Sequence, residues 1–230
     1  MCNRYQVTSN IQAITDLVTG WRWRGRMTNA PWQTDLFPNY TAGIVRLVDE
    51  ELQIDGAIWG MPKPPSKNRT PGGKQRTFDS GVTNIRELDS GWWRQWIGVQ
   101  HRCLVPMTRF TEPDRTHHNH GFEFTDGREV VMMAGMCTRA VRKVRDKDTE
   151  PYEGLMYAFL TSSPNSDVGE IHSKAMPVIL DDPDDFKIWL TADFSIAKQL
   201  QKPLDDGLLR SAPTDPIPMD EGLNRQLGLL

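Results

Sequence analysis

The apolar segments of this chain are short and strand-like, and this constrains its fold more than any other feature. The longest, "VVMMAGMC" at 130–137, is far below the ~20 residues of a membrane-spanning helix and suits a buried strand. Further strands are expected near "CLVPM", "GFEF", "LMYAFLT" and "MPVIL", and "GIVRLVDEELQIDGAIWG" at 43–60 reads as two strands about an acidic turn. Helical signals are fewer. Asn10 can cap a helix whose Ile11, Ile14, Leu17 and Val18 share one face and which Gly20 would end. A tryptophan-rich helix is expected around "SGWWRQWIG". Asp182 before Pro183 marks the start of another over "PDDFKIWL", followed by one over "FSIAKQL". Strands outnumber helices and do not alternate with them, which predicts an α+β fold rather than a doubly wound sheet. The stretch 62–81, "PKPPSKNRTPGGKQRTFDSG", is dense in proline and glycine and reads as a long loop, of a length that is usually functional or disordered. With 230 residues and 38% hydrophobic content the chain can bury a sizeable core, most simply as one domain over 1–230.

Several functions are disfavoured at this level. The polar start "MCNRYQVTSN" lacks the apolar core of a secretory signal, so neither export nor lipid attachment at Cys2 is expected. Cysteines at 2, 103 and 137 leave at least one thiol unpaired in any disulfide scheme, which favours the reducing cytoplasm. Cys103 and Cys137, flanked by apolar neighbours, read as small core residues. A net charge of −3 exerts no global pull on nucleic acid, so binding would need a local basic surface. Two segments offer one: "GWRWRGR" at 20–26, where arginine alternates with tryptophan, and "RAVRKVRDK" at 139–147. The Gly-Lys of "TPGGKQ" lacks the following Ser/Thr of a phosphate loop, and there is no G-x-S-x-G or H-E-x-x-H. "HHNH" at 117–120 could ligate a metal, but clustered histidines on a polar loop are more often solvated, and no metal or other cofactor is expected.

The chemistry is sharpest at the start of the chain. If Met1 is removed, Cys2 carries a free amine, titrating near about 7.7 to 8.0, beside a thiol near about 8.5. That pair can attack an aldehyde twice: nitrogen forms an imine and sulfur closes a five-membered thiazolidine, which an internal cysteine cannot do. The position alone also allows an incidental small residue at a frayed terminus.

Met1-Cys2-Asn3, Trp59-Gly60, Asn84-x-Arg86, Arg102-Cys-Leu-Val-Pro106 followed by Glu112, and His172 ahead of Met176-Pro-Val-Ile-Leu180 together settle how that start is read. In order and spacing this set resembles the SRAP family, the SOS-response-associated peptidase-like proteins that crosslink to abasic DNA, over roughly positions 1 to 210. The resemblance implies a single compact domain with a β-rich, curved or barrel-like antiparallel sheet and peripheral helices. It implies a positively charged groove for single-stranded DNA bearing abasic sites. It also implies an exposed Cys2 that forms the thiazolidine after autocatalytic loss of Met1, shielding the lesion in a single-turnover, lyase-like reaction. The protein would act as a monomer in the cytoplasm, on the nucleoid when bound to DNA. Carried over by position, Cys2 is the covalent nucleophile, Glu112 a proton shuttle, His172 an assistant in opening the sugar ring, and Asn84 a hydrogen-bonding clamp on the N-terminus or the lesion. Arg4, Arg86 and Lys174 would pair with phosphates and Trp59 would stack on a base.

Three departures from the family pattern bear on DNA affinity and on Glu112: "RFTEP" around the glutamate, "HSKAMP" with lysine in place of arginine, and "QTDLFP", where Asp35 would lie near phosphate if it faced the groove. The residues themselves also allow plainer roles: Trp59 filling the core, His172 half-buried, Asn84 turning the chain, Glu112 a solvated loop carboxylate. A thiol peptidase acting on other proteins and a non-catalytic single-strand binding module are the rival functions.

Overall fold

The computed structural model describes residues 2–25, 32–145, 150–212 and 214. In chain order its first half comprises β1 (Arg4–Gln6), α1 (Ile11–Leu17), β2 (Asp35–Leu36), β3 (Thr41–Val48), β4 (Glu51–Trp59), β5 (Asn84–Ile85), β6 (Arg102–Met107) and β7 (Arg109–Pro113). The second half comprises β8 (Asn119–Phe124), β9 (Val131–Arg142), β10 (Tyr152–Ser162), α2 (Ser166–Gly169), β11 (Met176–Pro177), β12 (Ile179–Leu180), α3 (Pro183–Thr191), α4 (Phe194–Ala197) and β13 (Leu209–Ala212). Met1, Arg26 and residues 146–147, which carry parts of the sequence expectations, lie outside the described residues.

Five of the expected strands close on themselves. β3 pairs with β4 about the acidic turn, β6 joins β3 to β9, and β9 runs antiparallel to β10. β10 then returns to β4 in parallel, with Met156 opposite Ile58 and Tyr157 opposite Trp59, so the ring has no free edge. The first eight residues of β9 are all buried, as its unbroken apolar run requires, because one face fills the barrel and the other is covered. Cys103 and Cys137 lie in this core. The "MPVIL" segment is not one strand. β11 pairs with β10 and β12 with β9, while Val178 between them bonds to both, donating to Leu160 O and accepting from Ala134 N.

A second, wholly antiparallel sheet runs β13-β8-β7-β1-β2. Three of its members, β1, β2 and β7, are too short or too polar to read as strands from sequence, yet they place the N-terminus. α1 forms as expected: Asn10 Oδ1 accepts from Ala13 N at 3.3 Å, Ile11, Ile14 and Val18 are buried, and Gly20 adopts φ +80°. The tryptophan-rich segment makes only a 3₁₀ turn over Trp93–Trp96, and "FSIAKQL" is a single α turn continued by a 3₁₀ turn over Lys198–Leu200. Over 62–81 the chain is a loop with one short hairpin, bridged between Arg69 and Gln75.

Candidate active site at the N-terminus

β1 lies between β2 and β7 in the second sheet, with Arg4 opposite Thr111 and Tyr5 opposite Phe110. That pairing draws the start of the chain inward. Cys2 is 1% exposed, and its Sγ donates to Arg4 O at 3.2 Å. Burial, with the Glu112 carboxyl nearby, pushes the thiol far above its ordinary range. Behind it stands an aromatic wall. The Tyr5 and Tyr157 hydroxyls meet at 2.5 Å, Tyr5 packs edge-on against Trp59 at 5.1 Å, and Trp59 stacks on Phe159 at 5.2 Å.

Glu112 sits on β7, flanked by β1 and β8, and is wholly buried. Desolvation raises its carboxyl from 4.5 to about 7, so near neutrality it can both accept and give a proton. It is therefore neither solvated nor on a loop. His172 follows α2, whose first turn is capped by Asn165 Oδ1 accepting from Val168 N at 3.1 Å. The His172 Nδ1–H donates to Pro113 O at 2.8 Å, which fixes the neutral ring with its Nε2 lone pair facing Glu112 Oε2, 3.5 Å away. Burial lowers the histidine's pKa, so the neutral ring is favoured. Asn84 lies on β5, which runs parallel to β10 with Asn84 opposite Phe159. Its Nδ2 donates to Cys2 O at 2.9 Å and to Thr83 Oγ1 at 2.8 Å, while its buried Oδ1 has no hydrogen-bond partner among the described residues. Four segments far apart in sequence thus bring Cys2, Asn84, Glu112 and His172 together.

The expected DNA contacts divide. Arg86 and Lys174 are exposed, and each borders an open depression. One, of about 300 Å³, is lined by Pro113, Asp114, Arg115, His117, His172 and Lys174. The other, of about 280 Å³, is lined by Arg86 with Thr161, Ser162, Ser163 and Gln201 among others. Trp59 and Arg4 do not face solvent. Trp59 is 0% exposed and its Nε1 donates to Thr83 O, so it offers no ring face to a base and instead backs the site. Arg4 is 3% exposed and pairs bidentately with Asp35, at 2.9 and 2.7 Å, with its guanidinium over Phe37. The same pair answers the concern about Asp35, whose charge is met by Arg4. Cys2 itself is a further correction, since the resemblance implied an exposed thiol and the side chain is 1% exposed.

Tyr5 and Tyr157 carry no sequence signal that would have singled them out, because only strand pairing makes them neighbours of Cys2, and the same pairing is what sets Asp35 against Arg4. In the histidine-rich loop, Asp114 accepts from Thr116 N and Oγ1, His118 N and His120 Nε2 at 2.7 to 3.0 Å. Those bonds, from Thr116 and His120 above all, hold its carboxyl well below the usual range. No three His, Cys, Asp or Glu side chains are grouped to hold a metal ion among the described residues.

A family model described as SOS response associated peptidase (SRAP) matches residues 1–216. Solved structures agree in fold. A Bordetella bronchiseptica protein superposes with TM-score 0.68 at 20% identity, covering 94% of this chain and 100% of its own. A Bacteroides thetaiotaomicron protein gives 0.64 at 18% identity, covering 91% and 90%. A phage-related protein from Bordetella bronchiseptica gives 0.64 at 18%, covering 94% and 95%. A search among curated proteins returns no match.

Proposed function

The chain belongs to the SOS response associated peptidase family, and from that membership and the geometry around Cys2 we propose that it releases its own Met1 and then captures abasic sites in single-stranded DNA. The observation that carries this reading is a fully buried glutamate poised at about 7 beside the second residue of the chain, with a tautomer-fixed histidine 3.5 Å from it. In the first step Glu112 takes a proton from the water that attacks the Met1–Cys2 peptide bond and returns one to the leaving Cys2 nitrogen. Asn84, bonded to Cys2 O, holds the acceptor end of that residue still.

In the second step the new amine adds to the sugar aldehyde. Protonated Glu112 supplies the proton with which the carbinolamine hydroxyl leaves as water, giving an imine. The thiol then adds to the imine carbon, its proton passing to the imine nitrogen, and the net loss is one water. The amine acts first because the ring closes only when sulfur meets the imine carbon that the amine has created. Ring closure removes an imine that would otherwise acidify the neighbouring sugar proton and promote strand cleavage. Asn84 Oδ1 is an acceptor suited to the opened sugar's hydroxyl, and Arg86 and Lys174 are the exposed cations for phosphate.

A thiol peptidase needs a base bonded to its thiol, whereas the Cys2 Sγ donates to the Arg4 carbonyl oxygen, which disfavours that alternative. The test is a single-stranded oligonucleotide carrying one abasic site. The protein is expected to form an adduct that survives denaturing electrophoresis and is absent with Cys2→Ala, and its intact mass is expected to lack Met1. A protein of full mass, an adduct that persists in Cys2→Ala, or repeated cleavage of added peptides would overturn the proposal.

A further inference from the structure

The loop at 62–81 is a basic stretch of an acidic chain: Lys63, Lys67, Arg69, Lys74 and Arg76 stand against Asp79 alone, while the whole carries −3. Its shape is built from main-chain bonds. Thr70 N donates to Lys74 O, Gly73 N to Thr70 O and Arg76 N to Asn68 O, giving a hairpin that turns at the positive-φ Gly73. Lys67, Arg69, Lys74 and Arg76 are exposed on it, and among the described residues none of the four has an acidic partner. The lone acid is already committed, since Asp79 accepts from Lys63 N and Gly81 N. The base of the loop is tied to the second basic segment. Asp79 N donates to Lys143 O at 2.8 Å, and the buried Arg142 guanidinium bonds to Asp79 O and Asn39 Oδ1. The loop also leaves and re-enters the barrel at the site: it follows Trp59 and Gly60 directly and returns through Val82 and Thr83 to Asn84.

We infer that this hairpin, with Lys143 at its base, is a second phosphate-binding surface that grips nucleic-acid backbone running past the lesion without taking part in the covalent step. This rests on reading the chain as a nucleic-acid-binding protein, but its readout is non-covalent. The chemistry favours nucleic acid over an acidic protein. A stable protein interface is centred on buried apolar anchors, whereas the exposed part of this loop is Lys, Arg, Gly, Pro, Ser, Thr and Gln, and its one aromatic, Phe78, is half-buried beneath Arg76. Exposed cations that have no acidic partner among the described residues suit a repeating anion, whose counterions they release.

The test measures binding to an undamaged oligonucleotide as a function of salt, in single-stranded and duplex arms, with polyglutamate as a competing polyanion. A variant with Lys67, Arg69, Lys74 and Arg76 all changed to Gln is expected to lower the magnitude of the log–log salt slope on single strands by about 3, at ~0.7 per lost phosphate contact. Its adduct yield on abasic DNA at saturating concentration is expected to stay at the wild-type level. Lys67→Glu with Lys74→Glu keeps the hairpin-closing contacts of Arg69 and Arg76 and is expected to weaken binding in the same direction. An unchanged slope in both variants, or equal loss of nucleic-acid and polyglutamate binding, would overturn the inference. A wild-type protein that binds DNA in this salt-dependent way yet forms no adduct would instead refute the proposed function and leave this surface standing.

Discussion

Glu112 shows how a single residue's environment sets its chemistry. In water its carboxyl would be ionised at neutral pH, whereas inside the second sheet the charged form is desolvated and the pKa reaches about 7. The folded pKa lies above the unfolded one, so the associated stability is fully present below about 4.5 and is lost as pH rises through about 7. A shift of that size corresponds to about 3 kcal/mol, at 1.36 kcal/mol per unit. Glu112→Gln is therefore expected to flatten the decline in thermal stability between pH 5 and 8 while slowing Met1 release by at least ~10²-fold, the usual weight of a general acid–base. Melting curves across that range and intact mass at successive times check the two effects separately. Sequence identified Glu112, His172, Asn84 and Cys2 as a set through their resemblance to a family pattern, but the same resemblance implied solvent-facing roles for Cys2, Arg4 and Trp59, and for Trp59 the plainer reading as a core residue is the one that holds. Each of these sits on or beside a strand whose pairing partners are distant in the chain, and local sequence carries no signal for that.

Among the elements, the long apolar strands and the capped helices were legible, and the short strands were not. β9, β10 and the β3–β4 hairpin bury continuous or alternating apolar residues, and Asn10 and Asp182 both accept the capping bonds their positions suggest. β1 and β7 hold Arg4, Gln6, Arg109 and Glu112, a polar composition that becomes strand only because neighbouring backbones satisfy it. The loop at 62–81 is held at its base by the close approach of two glycines. Gly81 has φ +79°, and a Cβ there would lie 2.9 Å from both Gly60 Cα and Arg142 Nη1. Gly81→Ala is expected to cost more than about 1 kcal/mol and to speed limited proteolysis within 62–81, with cleavage-site mapping as the readout.

At the scale of the whole molecule, Arg102 ties the helical layer to the barrel. This buried side chain on β6 donates to Ile97 O, Trp189 O and Ala192 O, closing the C-terminal end of α3, and lies over the rings of Trp189 and Phe194. Its place in the family-like pattern is thus structural. Arg102→Ala strands several buried carbonyls and is expected to cost about 3 kcal/mol or more, lowering Tm by roughly 6 to 12 °C, which urea and thermal unfolding would measure. The amino-acid sequence by itself determined the α+β class, the strand-forming core segments, the helix caps and the residue types able to trap an aldehyde. These follow from short-range patterns of apolarity, capping and reactivity. Tertiary structure alone decided that β10 closes the barrel on β4, that Asp35 neutralises Arg4, and that Trp59 backs the site. It likewise decided that a glutamate 110 positions from the N-terminal cysteine lies beside it with a shifted pKa. The physical reason is that desolvation and strand pairing depend on which distant segments share the interior.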